Sequence, residues 1–204
     1  MNIHGPILSI ALLVPLTACE SKTAPSQPVL YSVGPAGNFH TIQAAMAAAP
    51  PGSVIEVQPG VLHERVVMTQ PYKLRGVAGA ILDGSTVDGG TGIGIHVSNV
   101  SGVEISGLIV ENFERGIVLE NVTGSVVQSN EVRNSLAKSG PPFTIGVTPF
   151  EGIVLTAASN NDVLENFSHD NGHDGLMMTG GSSGNRVRNN RFTSNGGQTA
   201  TSAG

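Results

Sequence analysis

One four-residue pattern recurs along this chain and constrains its fold more than any other feature. Gly94-Ile95-His96-Val97, Gly116-Ile117-Val118-Leu119, Gly152-Ile153-Val154-Leu155 and Gly175-Leu176-Met177-Met178 each place a glycine before apolar residues that flank a variable one. The glycines lie 22, 36 and 23 residues apart. A second short β-prone run follows each copy: Val103-Glu104-Ile105, Val126-Val127-Gln128, Val163-Leu164-Glu165 and Val187-Arg188. Then come Leu108 to Val110, Val132, Phe167 and Phe192, and turns rich in Asn, Asp, Ser and Gly close each unit. A short period built from short strands and polar turns predicts a solenoid whose coils stack in parallel, because no single unit can bury its own apolar face. The composition agrees. Apolar residues make up 39% of the chain, but with six Phe, two Tyr and no Trp the core must be mainly Val, Ile and Leu, which favour strands.

Asparagines recur after the second strand, at Asn130, Asn166 and Asn190, with Gly107 at the matching place in the earliest copy. Strands stacked about 4.8 Å apart would let these amides bond to one another along a ladder. Asparagine also tolerates the left-handed backbone of tight turns. At this point the sequence resembles the right-handed parallel β-helix proteins, a superfamily that includes pectate lyases, alginate lyases, mannuronan epimerases and periplasmic NosD-type repeat proteins. The stretch Phe39-His40-Thr41-Ile42-Gln43-Ala44-Ala45, followed by Pro50-Pro51-Gly52-Ser53-Val54-Ile55-Glu56-Val57 and Pro59-Gly60, looks like that superfamily's usual opening. The resemblance spans residues 31–196 and implies an all-β solenoid. It leaves the chemistry open, since this scaffold carries several activities. Pectin methylesterases share the opening, but no counterpart of their later catalytic segments is found.

Coils are expected at 53–70, 71–92, 93–114, 115–151, 152–174 and 175–196, six in all. Ile42, Ala45, Met46 and Ala49 follow helical spacing, so residues 41–49 are expected to form a short helix capping the first coil. Residues 197–204 show no apolar face to close the last coil, so the expectation is either that the chain is truncated there or that another subunit caps it by self-association through that end.

The amino terminus reads as an address. An apolar run from Ile7 to Leu16, too short to span a bilayer, ends in Leu16-Thr17-Ala18-Cys19, which looks like a bacterial lipobox. That resemblance implies a signal peptide over 1–18, lipidation of Cys19, a flexible linker over 19–30 and the β-helix domain over 31–204. It places the protein anchored by lipid in the bacterial cell envelope, or secreted. Cys19 is the sole cysteine, so no intrachain disulfide can form.

Chemistry on a solenoid sits outside the coils. If the four repeat glycines stack, Arg115, Glu151 and Asp174 form one column, with Glu114, Phe150 and His173 in the column before it. Arg115, Glu151, His173 and Asp174 are therefore the candidate catalytic residues. A polysaccharide lyase or C5-epimerase acting on uronic-acid polymers needs such a set: a cation for the uronate carboxylate, a base for the C5 proton and an acid for the departing oxygen. The bland alternative is a surface ion pair. The insertion that lengthens the fourth coil carries Lys138, Phe143 and Phe150, candidate substrate-binding residues beside a sugar face. Equally, Phe143, Ile145 and Phe150 could cover the outward Val118, Val154 and Met177.

Polysaccharide is the expected partner. Nucleic acid is disfavoured, because 10 Lys and Arg against 15 Asp and Glu supply no cationic surface for phosphates. No cofactor is expected. Calcium could use Asp162, Glu165, Asp170 or Asp174, but no calcium-loop motif is present. Zinc on His169 and His173 would require a helix where the repeat places turns. The sequence thus points to a polysaccharide-binding β-helix lipoprotein, with a lyase or epimerase and a non-catalytic envelope scaffold as the alternatives.

Overall fold

The computed structural model describes Met1 and residues 30–87, 92–135 and 150–196. Among these residues, the alternation of apolar and polar positions in each repeat is realised as 18 strands in three parallel sheets. One sheet has seven strands in the order β1 (Tyr31–Val33), β2 (Val54–Val57), β5 (Lys73–Gly76), β8 (Glu104–Ser106), β11 (Val126–Gln128), β14 (Asp162–Leu164) and β17 (Arg186–Arg188). A second runs β3 (Gly60–Leu62), β6 (Ala80–Asp83), β9 (Ile109–Glu111), β12 (Glu131–Arg133), β15 (Phe167–His169) and β18 (Arg191–Thr193). The third is β4 (Val66–Met68), β7 (Ile93–Ser98), β10 (Arg115–Glu120), β13 (Ile153–Thr156) and β16 (Leu176–Thr179). The chain visits the sheets in rotation, and its six passages through the second sheet match the six expected coils.

The stacking register is the one the repeat implied. Ile95, Ile117, Ile153 and Leu176 are successive partners, as are Ile105, Val127, Val163 and Val187. Inward residues form one core cluster, including fully buried Ile55, Met68, Ile95, Ile105, Ile117, Leu119 and Ile153. The repeat glycine is required by the fit of neighbouring coils. A Cβ on Gly116 would lie 2.2 Å from Val132 Cγ1 and 2.6 Å from the Gly152 carbonyl oxygen.

The asparagine ladder exists, and among the described residues it is one of three. Asn130 donates both its backbone N–H and its Nδ2 to Asn166 Oδ1 at 3.0 and 3.1 Å, and Asn166 does the same to Asn190 Oδ1 at 2.8 and 2.9 Å. A second column runs Ser125, Asn161 and Asn185, and a third Ser135, Asn171 and Asn195. The residue before each rung takes a left-handed backbone: Ser129, Glu165 and Asn189 for the first ladder, Asn134, Asp170 and Ser194 for the third. These corners leave backbone donors facing along the solenoid axis, and side-chain amides satisfy them inside the core.

Helix α1 (Ile42–Ala48) lies where a cap was expected, with Thr41 as its N-cap, and buries Ile42, Ala45 and Met46. Glu64 accepts from the N–H groups of Ile42 at 2.6 Å and Gln43 at 3.2 Å. Burial pushes the Glu64 carboxyl above its ordinary pKa, partly opposed by those two N–H donors. At the far end the inward residues of the last described coil stay open: Met178 is 51% exposed, Phe192 41% and Val187 36%.

Candidate functional site

The register of β10, β13 and β16 brings Arg115, Glu151 and Asp174 onto neighbouring coils along one edge. Gly116 N–H donates to Glu151 O, and Gly152 N–H to Asp174 O, so each of these residues sits just ahead of a stacked glycine. Arg115 Nε donates to Glu151 Oε2 at 3.2 Å. The Glu151 side chain has no exposed surface, whereas that of Arg115 is about one-third exposed. Phe150 N–H also donates to Glu151 Oε2, and Oε1 is buried with no hydrogen-bond partner among the described residues. A carboxylate buried this completely cannot meet a polymer. What it can do is hold the guanidinium by Nε, while the Arg115 side chain stays about one-third exposed.

His173 and Asp174 share the turn between β15 and β16, with His173 Nδ1 2.9 Å from Asp174 Oδ2. Their side chains are 38% and 48% exposed. The His173 N–H donates to the Phe150 carbonyl at 3.1 Å, which fixes this turn against the residue next to Glu151. The backbones of Arg115 and Asp174 are two coils, about 10 Å, apart along the axis, and the bond to Glu151 draws the guanidinium onto the coil between them. The edge thus presents an exposed cation, then a buried carboxylate, then an exposed imidazole–carboxylate pair.

The other expected residues divide by position. Phe150 is buried at 9% exposure, so it backs the site and offers no open ring to a sugar. Lys138 and Phe143 lie outside the described residues, as does Cys19. Val118 and Val154, which face away from the core cluster, are nonetheless buried at 4% and 2%. The carboxylates considered for calcium have protein partners. Asp162 pairs with Arg186 at 2.5 Å, Glu165 accepts from Ser129 Oγ at 3.3 Å, Asp170 pairs with His169 and Asp174 with His173. His169 lies in strand β15 and His173 in the following turn, so the two do not share a helical face.

The sequence reading missed a second charged array, on the outer face of the second sheet. There Arg133 bonds Glu111 at 2.7 Å and also Glu131, while His169 lies between Glu131 at 3.2 Å and Asp170 at 2.5 Å. The Phe167 ring stacks on His169 with centroids 4.0 Å apart, and the Arg191 guanidinium sits 4.7 Å from the Phe167 centroid. Alternate residues of β9, β12 and β15 share a face, and that period was the available signal. These groups satisfy one another, which suits a surface ion-pair network. Nearer the first coil, Asp83 accepts from Ser85 and Asn112 and faces His63. Burial raises its pKa, but those hydrogen bonds and the His63 charge outweigh it and hold the carboxyl below the usual range.

Comparison with known proteins agrees with this architecture. The chain is 35% identical over 101 residues to the 3-dehydroshikimate dehydratase of Acinetobacter baylyi, an alignment covering 50% of this chain and 20% of that relative. The chain therefore spans only about a fifth of the relative's length. No solved structure matches it significantly. A family model described as a right handed beta helix region matches residues 72–204, well over half of the chain. With its three parallel sheets, stacked glycines and amide ladders, the chain belongs to the right-handed β-helix family.

Proposed function

We propose that this protein binds an acidic polysaccharide along the edge formed by Arg115, His173 and Asp174. The observation that carries this reading is the Arg115 guanidinium, bonded through Nε to a fully buried Glu151 on a side chain that is about one-third exposed. A buried carboxylate costs stability when it is only partly hydrogen-bonded. A planar cation held this way is suited to a carboxylate ligand. In this reading Glu151 acts through Arg115 and does not touch the polymer. Arg115 takes a uronate carboxylate, and the His173–Asp174 pair meets the sugar ring further along the edge. The lipobox-like segment ending at Cys19 supports a place at the surface of a membrane, where such polymers are met.

A second reading, elimination, is supported by the similarity to a protein named as a dehydratase. Here Arg115 neutralises the uronate carboxylate and His173, held by Asp174, removes the C5 proton. The C5–H electrons form a C4–C5 double bond as the C4–O bond breaks, and the departing oxygen takes a proton from water while His173 later releases its own to solvent. Calorimetry with alginate and pectate oligosaccharides, run beside absorbance of unsaturated uronates, tests both readings. Binding that weakens at least tenfold in Arg115→Ala is expected, and an absorbance rise abolished by His173→Gln would add the elimination. Equal binding by wild type and Arg115→Ala would remove the edge as the site.

A further inference from the structure

Strand β15 places a hydroxyl in an inward column of the second sheet that is otherwise hydrocarbon. Ser168 is fully buried, and its inward column otherwise holds Leu82, Val110, Val132 and Phe192. A valine would suit the position. Val132 packs against Gly116 one coil earlier much as Ser168 packs against Gly152, the nearest atoms lying 2.2 and 2.1 Å from where a glycine Cβ would stand. A serine there gives up apolar burial, so the question is what its hydroxyl holds.

Ser168 Oγ donates to the Gly175 carbonyl at 2.8 Å and accepts from Asn171 Nδ2 at 3.0 Å. Asn171 and Gly175 are the two ends of the turn that carries His173 and Asp174. Neither partner needs the hydroxyl for its own satisfaction. The Gly175 carbonyl already accepts from Ile153 N–H at 3.1 Å, and Asn171 Nδ2 already donates to Asn195 Oδ1 at 2.9 Å. Both bonds are therefore surplus to what the backbone and the ladder require. Their shared effect is to tie both ends of one turn to a single atom of the core.

We infer that Ser168 is a positioning residue that fixes the His173–Asp174 turn for ligand binding. It acts through that turn and touches no ligand. The ligand part rests on the reading of this edge as an acidic-polysaccharide site; the positioning part does not. In the full chain, Ser168→Val is expected to keep the melting temperature at or above that of the wild type, as Val132 does its packing without a hydroxyl. The same change should displace the His173 imidazole resonances, assigned with His173→Gln, and weaken alginate- or pectate-oligosaccharide binding about tenfold, the size of one orienting hydrogen bond. Ser168→Thr, which restores a hydroxyl on the valine shape, should return both readouts to wild type. Unchanged His173 resonances in Ser168→Val, or a threonine variant that behaves like the valine one, would overturn the inference. If the valine variant does not fold, Ser168→Ala takes its place: displaced His173 resonances support the positioning role and unchanged ones overturn it. Wild type that binds no oligouronate, together with resonances that shift in valine and return in threonine, sinks the proposed ligand and leaves the positioning role standing.

Discussion

The coil running from Gly152 to Asp174 and the one from Gly175 to Gly196 share strand positions and turn amides, yet they differ in what their residues are worth. Leu155 is fully buried, while Met178, its register partner in the next coil, is 51% exposed. Val163 is fully buried and Val187 is 36% exposed. Asn166 bonds to rungs on both sides, whereas Asn190, among the described residues, meets a rung on one side, accepting from Asn166. The backbone is set by each coil's own turns and pleat. Burial is set by having neighbours on both sides, so stability in this chain is close to a sum of coil–coil interfaces.

Four measurements would break or sharpen that contrast. The largest expected effect is for Leu155→Ala, about 3 kcal/mol by urea unfolding, against under about 1 kcal/mol for Met178→Ala. Equal losses at the two positions would mean that Met178 is covered in solution. Next, Asn166→Ala should cost about 2 kcal/mol, because Asn130 N–H and the Val127 carbonyl each lose a buried partner. Asn190→Ala, in the half-open coil, should cost about half as much. Smaller still is the acid limb of stability contributed by Asp83. Its folded pKa is depressed, so its contribution is present above the unfolded aspartate pKa and is lost as pH falls through the folded value. Asp83→Asn should flatten the decline of stability on the acid side. The smallest effect belongs to Glu64, whose pKa is raised by burial. Its contribution is present below the unfolded glutamate pKa and lost as pH rises through that raised value, and Glu64→Gln should remove this slope from melting temperatures followed across that rise. An unchanged slope would show that the carboxylate at the first-coil cap is solvated.

The same contrast shows what was legible beforehand. The four glycine repeats were enough to align Arg115, Glu151 and Asp174, because a parallel register fixed at one point fixes its whole column. The ladder of Asn130, Asn166 and Asn190 was legible because three copies carry one residue type. The ladders through Ser125 and Ser135 were not, since their rungs change from serine to asparagine and the matching places one coil earlier are Val103 and Phe113. Glu151 was read as a possible acid or base, and its burial makes it an anchor for Arg115. Spacing puts a side chain on an edge but gives no information on what covers it. Nor could spacing reveal Ser168, whose hydroxyl has meaning only once Asn171 and Gly175 fold back over it.

By itself the sequence determined the pleat, the turns and the stacking register, because these follow from local alternation, from residues that tolerate left-handed corners and from glycines that let coils approach. It also determined which charged residues share an edge. Tertiary structure alone decided which of those charges are buried, which amides lie inside the core and which inward residues stay open. Burial depends on groups from other coils and on whether a neighbour is present, and no single repeat contains that information.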